Sequence, residues 1–167
     1  MNNGQIYIIM GVSGCGKSTI GKLLAAKLEV PFFDGDDFHP EANVQKMASG
    51  HPLNDLDRKD WLKKLNELAF DHRTDGTVIA CSALKEKYRA QLKRGLEAEM
   101  VFVYLKGTFE EIHARLKERQ GHYMPIELLK SQFKTLEPPK DSIQVSIVLS
   151  PNEIVSDILG KKQKNKP

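Results

Sequence analysis

Short runs of consecutive apolar residues alternate along the chain with segments in which apolar residues recur every three or four positions. The first pattern suits strands buried on both faces, and the second suits helices with one apolar stripe. Five runs predict strands: Ile6 to Met10, Pro31 to Phe33, Thr77 to Cys81, Met100 to Leu105 and Ile143 to Leu149. Between them lie the stripes Ile20, Leu23, Leu24 and Leu28; Trp61, Leu65 and Leu68; Leu84, Tyr88 and Leu92; and Phe109, Ile112 and Leu116. Right-handed crossovers between parallel strands place such helices on both faces of one sheet. The expected architecture is therefore α/β, a parallel five-stranded sheet with its ligand crevice at the C-terminal strand ends.

Helix start signals agree with the stripes. Thr108 with Glu111 and Ser150 with Glu153 have capping-box spacing, and Pro151 suits a first helical position. Two stretches break the alternation. Phe38 to about Leu56 lacks clear periodicity, and Gln120 to Met124 is a polar interruption between two helices. Both read as mobile segments over a site, the first on the substrate side and the second (about 120–124) a small lid. No repeat or linker divides residues 1–160, which read as one domain. The basic run Lys161 to Lys166 reads as a solvated, frayed tail over 161–167.

Composition narrows the class. Of 167 residues, 40% are hydrophobic and 28% charged, the balance of a soluble globular protein. A chain of this size buries roughly 70% of its unfolded surface, so its core needs no disulfide. The net charge is only +3, with 22 acidic residues interleaved among 25 basic ones, and no nucleic-acid footprint emerges. Ile6 to Met10 is too short and lacks the basic flank of a signal peptide, and no run approaches the ~20 apolar residues of a membrane span. With two cysteines and no export signal, the expected compartment is the reducing cytoplasm.

Gly11-Val12-Ser13-Gly14-Cys15-Gly16-Lys17-Ser18 matches G-x-x-x-x-G-K-[ST] between a predicted strand and a predicted helix. Converging backbone N–H groups and a helix N-terminus bind phosphate there. The nucleotide site is expected to comprise Gly11 through Ser18 together with Thr19. Lys17 is the expected catalytic cation on the β- and γ-phosphates of ATP, and Ser18 an expected Mg²⁺ ligand. Such a loop alone leaves GTPases, motor ATPases and small-molecule kinases open.

Asp34-Gly35-Asp36-Asp37 after the second strand narrows that choice. A kinase needs one carboxylate near Mg²⁺ and another to orient or deprotonate the accepting hydroxyl. Asp34 and Asp36 share one side if the strand continues extended, and Gly35 then admits a ligand closely. Lys85 and Arg89, four apart after the third strand, are either a cationic clamp for a substrate carboxylate or a solvated helix pair. Arg115 and Arg119 are likewise either solvated or nucleotide-side lid arginines. His39 and His122 are site residues or ordinary loop histidines. Cys81 reads as a buried thiol, Trp61 as core, and Met47 and Met124 as packing beneath the two interruptions.

Taken together, the phosphate loop, Asp34 to Pro40, Asn43 with Lys46-Met47, Gly50 to Arg58, Cys81 to Lys85 with Tyr88-Arg89, Gly121-His122, Gln132-Phe133 and Leu136-Glu137 resemble the gluconokinase family. The resemblance spans about residues 6–139. It implies a P-loop, nucleoside-monophosphate-kinase-like fold, a homodimer, and transfer of the ATP γ-phosphoryl to the 6-hydroxyl of D-gluconate. Asp36 is then the candidate base and Asp34 lies on the Mg²⁺ side. His39, Lys46, Arg58, Ser82, Lys85, Arg89 and Gln132 become candidates for the sugar-acid pocket. The implied partners are gluconate and ATP, with no nucleic acid and no membrane. Shikimate or nucleotide phosphorylation remains an alternative, weakened by the lack of the Gly-Gly-Gly turn that shikimate kinases usually carry. A nucleotide-driven switch or RNA-dependent ATPase would need an Asn-Lys-x-Asp motif or a basic aromatic face, and the chain has neither.

Overall fold

β1 (Ile6–Met10) is buried along its whole length, as expected of a central parallel strand. The computed structural model describes residues 4–119 and 124–164. In chain order, β1 is followed by α1 (Lys17–Leu28), β2 (Phe32–Asp34), a 3-10 turn over Gly35–Phe38, α2 (Glu41–Ala48) and α3 (Asp55–Asp71). Then come β3 (Thr77–Ala80), α4 (Glu86–Lys93), β4 (Met100–Lys106), α5 (Phe109–Glu118), α6 (Ile126–Thr135), β5 (Ile143–Ser146) and α7 (Pro151–Lys164). All strand pairs are parallel, in the order β2-β3-β1-β4-β5. The chain leaves β1 toward β2 on one side and later passes to β4 on the other, which opens a crevice at the C-terminal end of β1.

Alternation along β1 divides the core in two. Tyr7 and Ile9 face Ile20 and Leu24 of α1 and Ile154 and Ile158 of α7. Ile6, Ile8 and Met10 face Trp61, Leu62 and Leu65 of α3 and Leu92 of α4. The expected sheet with helices on both faces is therefore observed. The expected caps also form: Thr108 and Glu111 bond reciprocally, as do Ser150 and Glu153.

The structure corrects several boundaries. β2 begins one residue after Pro31, which has no N–H to give the ladder, although its carbonyl accepts from Val78 N. β5 stops at Ser146, three residues early. The Phe38 to Leu56 segment is not an irregular flap, because α2 occupies its middle. Its periodicity was hidden because α2 docks through polar residues: Asn43 is 4% exposed, and Lys46 pairs with Asp57 of α3 at 2.6 Å. The basic C-terminus is likewise helical through Lys164. Lys161 donates to Gln144 O and pairs with Asp157, while Lys162 bonds Gln5 and lies over the Tyr7 ring. Residues 165–167 and the lid residues 120–123 lie outside the described residues, so of the expected lid only Met124 is placed; it packs on the core. Among the described residues, no helix is long and apolar enough to cross a membrane.

Candidate active site

The turn from β1 into α1 wraps around the Lys17 side chain. Lys17 Nζ donates to Gly11 O and Val12 O, each at 3.0 Å, and Gly11 N bonds Ser82 O after β3. Gly14 has φ +84°, and a Cβ there would stand 2.8 Å from Leu116 of α5, so only glycine fits. A cleft of about 1040 Å³ opens beside this loop. Its lining includes Ser13, Lys17 and Ser18 of the phosphate loop, Asp34, Asp36 and His39 after β2, and Met47, Arg58 and Trp61. Ser82 and Gln132 also line it. A smaller depression of about 290 Å³ borders the loop's other side, lined by Gly14, Cys15, Gly16, Thr19, Arg115 and Arg119. Arg119 borders both.

Asp34 and Asp36 do line one cleft, but not because the strand stays extended. The chain turns into the 3-10 segment at once, and Asp34 caps it, with Oδ1 accepting from Asp36 N at 3.0 Å. Asp34 Oδ2 accepts from Ser18 Oγ at 2.8 Å. The Asp36 side chain is 77% exposed, and its Oδ1 lies 3.7 Å from His39 Nε2. His39, and secondarily the charge of Lys17, hold the Asp36 carboxyl below its ordinary range against the opposing effect of desolvation. Gly35 serves packing, not ligand approach: a Cβ there would stand 2.5 Å from Ala80 O.

Trp61 is core, as expected, yet it also faces the cleft and donates from Nε1 to Gly35 O at 2.7 Å. Cys15 and Cys81 are both buried free thiols. Burial pushes Cys81 up to about 12.

Three residues expected in the sugar-acid pocket are engaged elsewhere, and a fourth, Gln132, is bonded to the phosphate loop. Arg89 is 7% exposed and donates to Ala83 O at 2.7 Å and Glu137 O at 2.8 Å. Burial lowers its pKa. Lys85 lies just before α4 and pairs outward with Asp55 at 3.1 Å, so Lys85 and Arg89 do not form one clamp. Lys46 is held by Asp57. Gln132 lines the cleft at its nucleotide-loop end, its Oε1 accepting from Ser13 N at 2.7 Å and its Nε2 donating to Ser13 Oγ at 3.1 Å. His39, Arg58 and Ser82 remain on the acceptor side. Arg58 spends one nitrogen on Leu53 O and Tyr88 Oη. Arg115 donates to Ile147 O at the rim of the smaller depression. Asn43, buried behind His39, escaped assignment; the signal that could have found it was its presence among the residues that carry the family resemblance.

A phosphate-binding loop, two carboxylates at and just beyond the end of β2, and a large cleft beside them on a β2-β3-β1-β4-β5 sheet define a P-loop phosphotransferase for a small molecule. The shikimate kinase family model matches residues 13–141. The thermoresistant gluconokinase of Escherichia coli (strain K12) is 49% identical over 147 residues, 86% of this chain and 83% of that protein. The gluconokinase of Arabidopsis thaliana is 42% identical, covering 93% and 91%. The crystal structure of a gluconokinase from Sinorhizobium meliloti 1021 superposes with a TM-score of 0.91 at 35% identity, covering 98% of this chain and 94% of that one. This chain belongs to the gluconokinase family.

Proposed function

We propose that the cleft transfers the γ-phosphoryl group of ATP to the 6-hydroxyl of D-gluconate, giving 6-phospho-D-gluconate and ADP. The observation that carries the reading is the division of labour on one turn: Asp34 is bonded to Ser18 of the phosphate loop, whereas Asp36 lines the cleft with no bond to that loop, its Oδ1 3.7 Å from His39 Nε2. Family membership supplies the substrate class. Shikimate, whose kinases share the matching family model, is the competing acceptor.

The chain's own groups account for the transfer. Backbone N–H groups of residues 11–18 and Lys17 bind the phosphates, Lys17 exchanging its present carbonyl partners for phosphoryl oxygens. Asp36 orients the acceptor hydroxyl and takes its proton as the oxygen–phosphorus bond forms and the bond from phosphorus to the leaving oxygen of ADP breaks. Arg58 is the acceptor-side cation for the gluconate carboxylate, with Ser82 supplying a polar contact and His39 lying beneath Asp36. Ser18 and Asp34 present hard oxygen donors about one hydrogen bond apart, a donor set that fits Mg²⁺. Bound there, Mg²⁺ would neutralise phosphate charge. Gln132 and Arg119 face the nucleotide from the α5–α6 side.

The resemblance and the two free, buried cysteines support a homodimer working in a reducing cytoplasm. A coupled ADP-release assay across D-gluconate, its epimers, shikimate and nucleoside monophosphates tests the substrate. D-Gluconate should give the highest kcat/KM. Equal or better turnover of shikimate or a nucleoside monophosphate overturns the reading.

A further inference from the structure

His39 sits between two polar neighbours that decide which of its ring nitrogens carries the proton. Asn43 Nδ2 lies 2.8 Å from the Asp57 main-chain oxygen and 3.3 Å from His39 Nδ1. A carbonyl oxygen only accepts, so the Asp57 contact sets which end of the Asn43 amide is nitrogen. The same nitrogen carries a second hydrogen, and that one meets His39 Nδ1. A donor facing Nδ1 requires a lone pair there, and the neutral ring must then be protonated at Nε2. Nε2 is the atom 3.7 Å from Asp36 Oδ1.

The ring is held in this pose. It stacks on Trp61 with centroids 4.0 Å apart and planes 19° from parallel, and its side chain is only 3% exposed. Trp61 is itself anchored to Gly35 O, in the turn that carries Asp36. The Asp36 carboxylate, by contrast, is open to solvent and can rotate. An N–H dipole aimed at it favours the rotamer beside His39, whereas a nitrogen lone pair would repel it.

We propose that Asn43 is a positioning residue of the phosphoryl-transfer site, acting through His39: it holds the imidazole as the Nε2–H tautomer, so that a donor and not a lone pair faces the Asp36 carboxylate. His39 gives up no proton in this arrangement; the acceptor proton still goes to Asp36. The inference rests on the reading of Asp36 as the proton acceptor. It adds a role for a buried amide that never touches substrate, of the kind that supports a catalytic group through its neighbour.

Long-range ¹H–¹⁵N correlation on the full chain labelled with ¹⁵N-histidine reads the tautomer directly, with the His39 signals identified by their loss in His39→Gln. The wild type should show a protonated Nε2 and a bare Nδ1, and Asn43→Ala should mix the two tautomers. Asn43→Ala should also lower kcat about 10- to 100-fold, the range of a misplaced reacting group, with KM for ATP unchanged. In an Asp36→Asn background the same substitution should have little further effect on kcat. A wild-type ring protonated at Nδ1 overturns this proposal alone and leaves Asp36 untouched. A full kcat loss persisting in the Asp36→Asn background, or no kcat loss from Asn43→Ala, also overturns it. Near-normal turnover by Asp36→Asn overturns the proton-acceptor reading and this proposal with it. Should Asn43→Ala not fold, the wild-type spectrum and Asn43→Ser, which keeps a hydrogen-bond donor, decide: Asn43→Ser should retain more Nε2–H than His39 shows free in water, and an unbiased ring there counts against the proposal.

Discussion

Ser18 Oγ donates a 2.8 Å hydrogen bond to Asp34 Oδ2, joining the first turn of α1 to the last residue of β2. Asp36, two residues on, makes no such contact with the phosphate loop and faces the cleft. The two carboxylates should therefore fail differently. Asp34→Asn should lose activity that is partly recovered by raising the Mg²⁺ concentration, because a neutral amide weakens a hard-cation site. Asp36→Asn should lower kcat by about 100- to 10,000-fold, the usual span for a lost general base, with no recovery. Kinetics of both variants across a Mg²⁺ titration decide the assignment, and an exchanged pattern would exchange the roles.

Lys17 offers a second test. Its ammonium is parked on Gly11 O and Val12 O, within reach of the phosphate positions of its own loop. Lys17→Ala should depress kcat at least ~100-fold, as losing one transition-state donor does, while circular dichroism reports an unchanged fold. Near-normal turnover would remove Lys17 from the chemistry.

Arg89 should behave as a structural residue. Its guanidinium serves two main-chain carbonyls, one belonging to Ala83, which sits at φ +46° after β3, and the other to Glu137 beyond α6. Arg89→Met leaves both acceptors without their donor, at a cost of about 2 to 4 kcal/mol. Thermal unfolding should shift down by roughly 5 to 15 °C. At temperatures where the variant stays folded, KM for D-gluconate should change less than in Arg58→Met. A large, selective rise in KM for D-gluconate in Arg89→Met would return Arg89 to the acceptor pocket.

The buried thiols set an alkaline limit. Cys81 is pushed up to about 12 and Cys15 is also raised, in both cases chiefly by burial, above the thiol's ordinary value near 9. The folded state therefore binds protons that the unfolded state releases above pH 9, so this contribution to stability is complete below that pH and is lost progressively toward pH 12. Neither thiol should react with an aromatic disulfide reagent at pH 8 in the native protein, and both should react in denaturant. Rapid native labelling of either would contradict the burial.

The sequence by itself determined the features that local chemistry can encode. Glycine spacing and the following Lys17-Ser18 specify a phosphate loop within eight residues, because backbone freedom and helix polarity act over that range. Alternating apolar runs and stripes specified five parallel strands, since a strand buried on both faces has no polar side to show. The caps at Thr108 and Ser150 were legible for the same reason: donor and acceptor lie three residues apart.

Tertiary structure alone decided partners. Lys46, Lys85 and Arg89 carry the charge a sugar acid would require, but packing gives them Asp57, Asp55 and two carbonyls instead. Gln132 meets Ser13 across 119 positions of sequence, and α2 stayed unreadable because it docks through Asn43 and Lys46, without an apolar stripe. A side chain's type limits which bonds it can make. Which bond it makes depends on the group that folding brings within hydrogen-bond reach, and for Asn43 that group is a carbonyl from α3 on one side and His39 on the other.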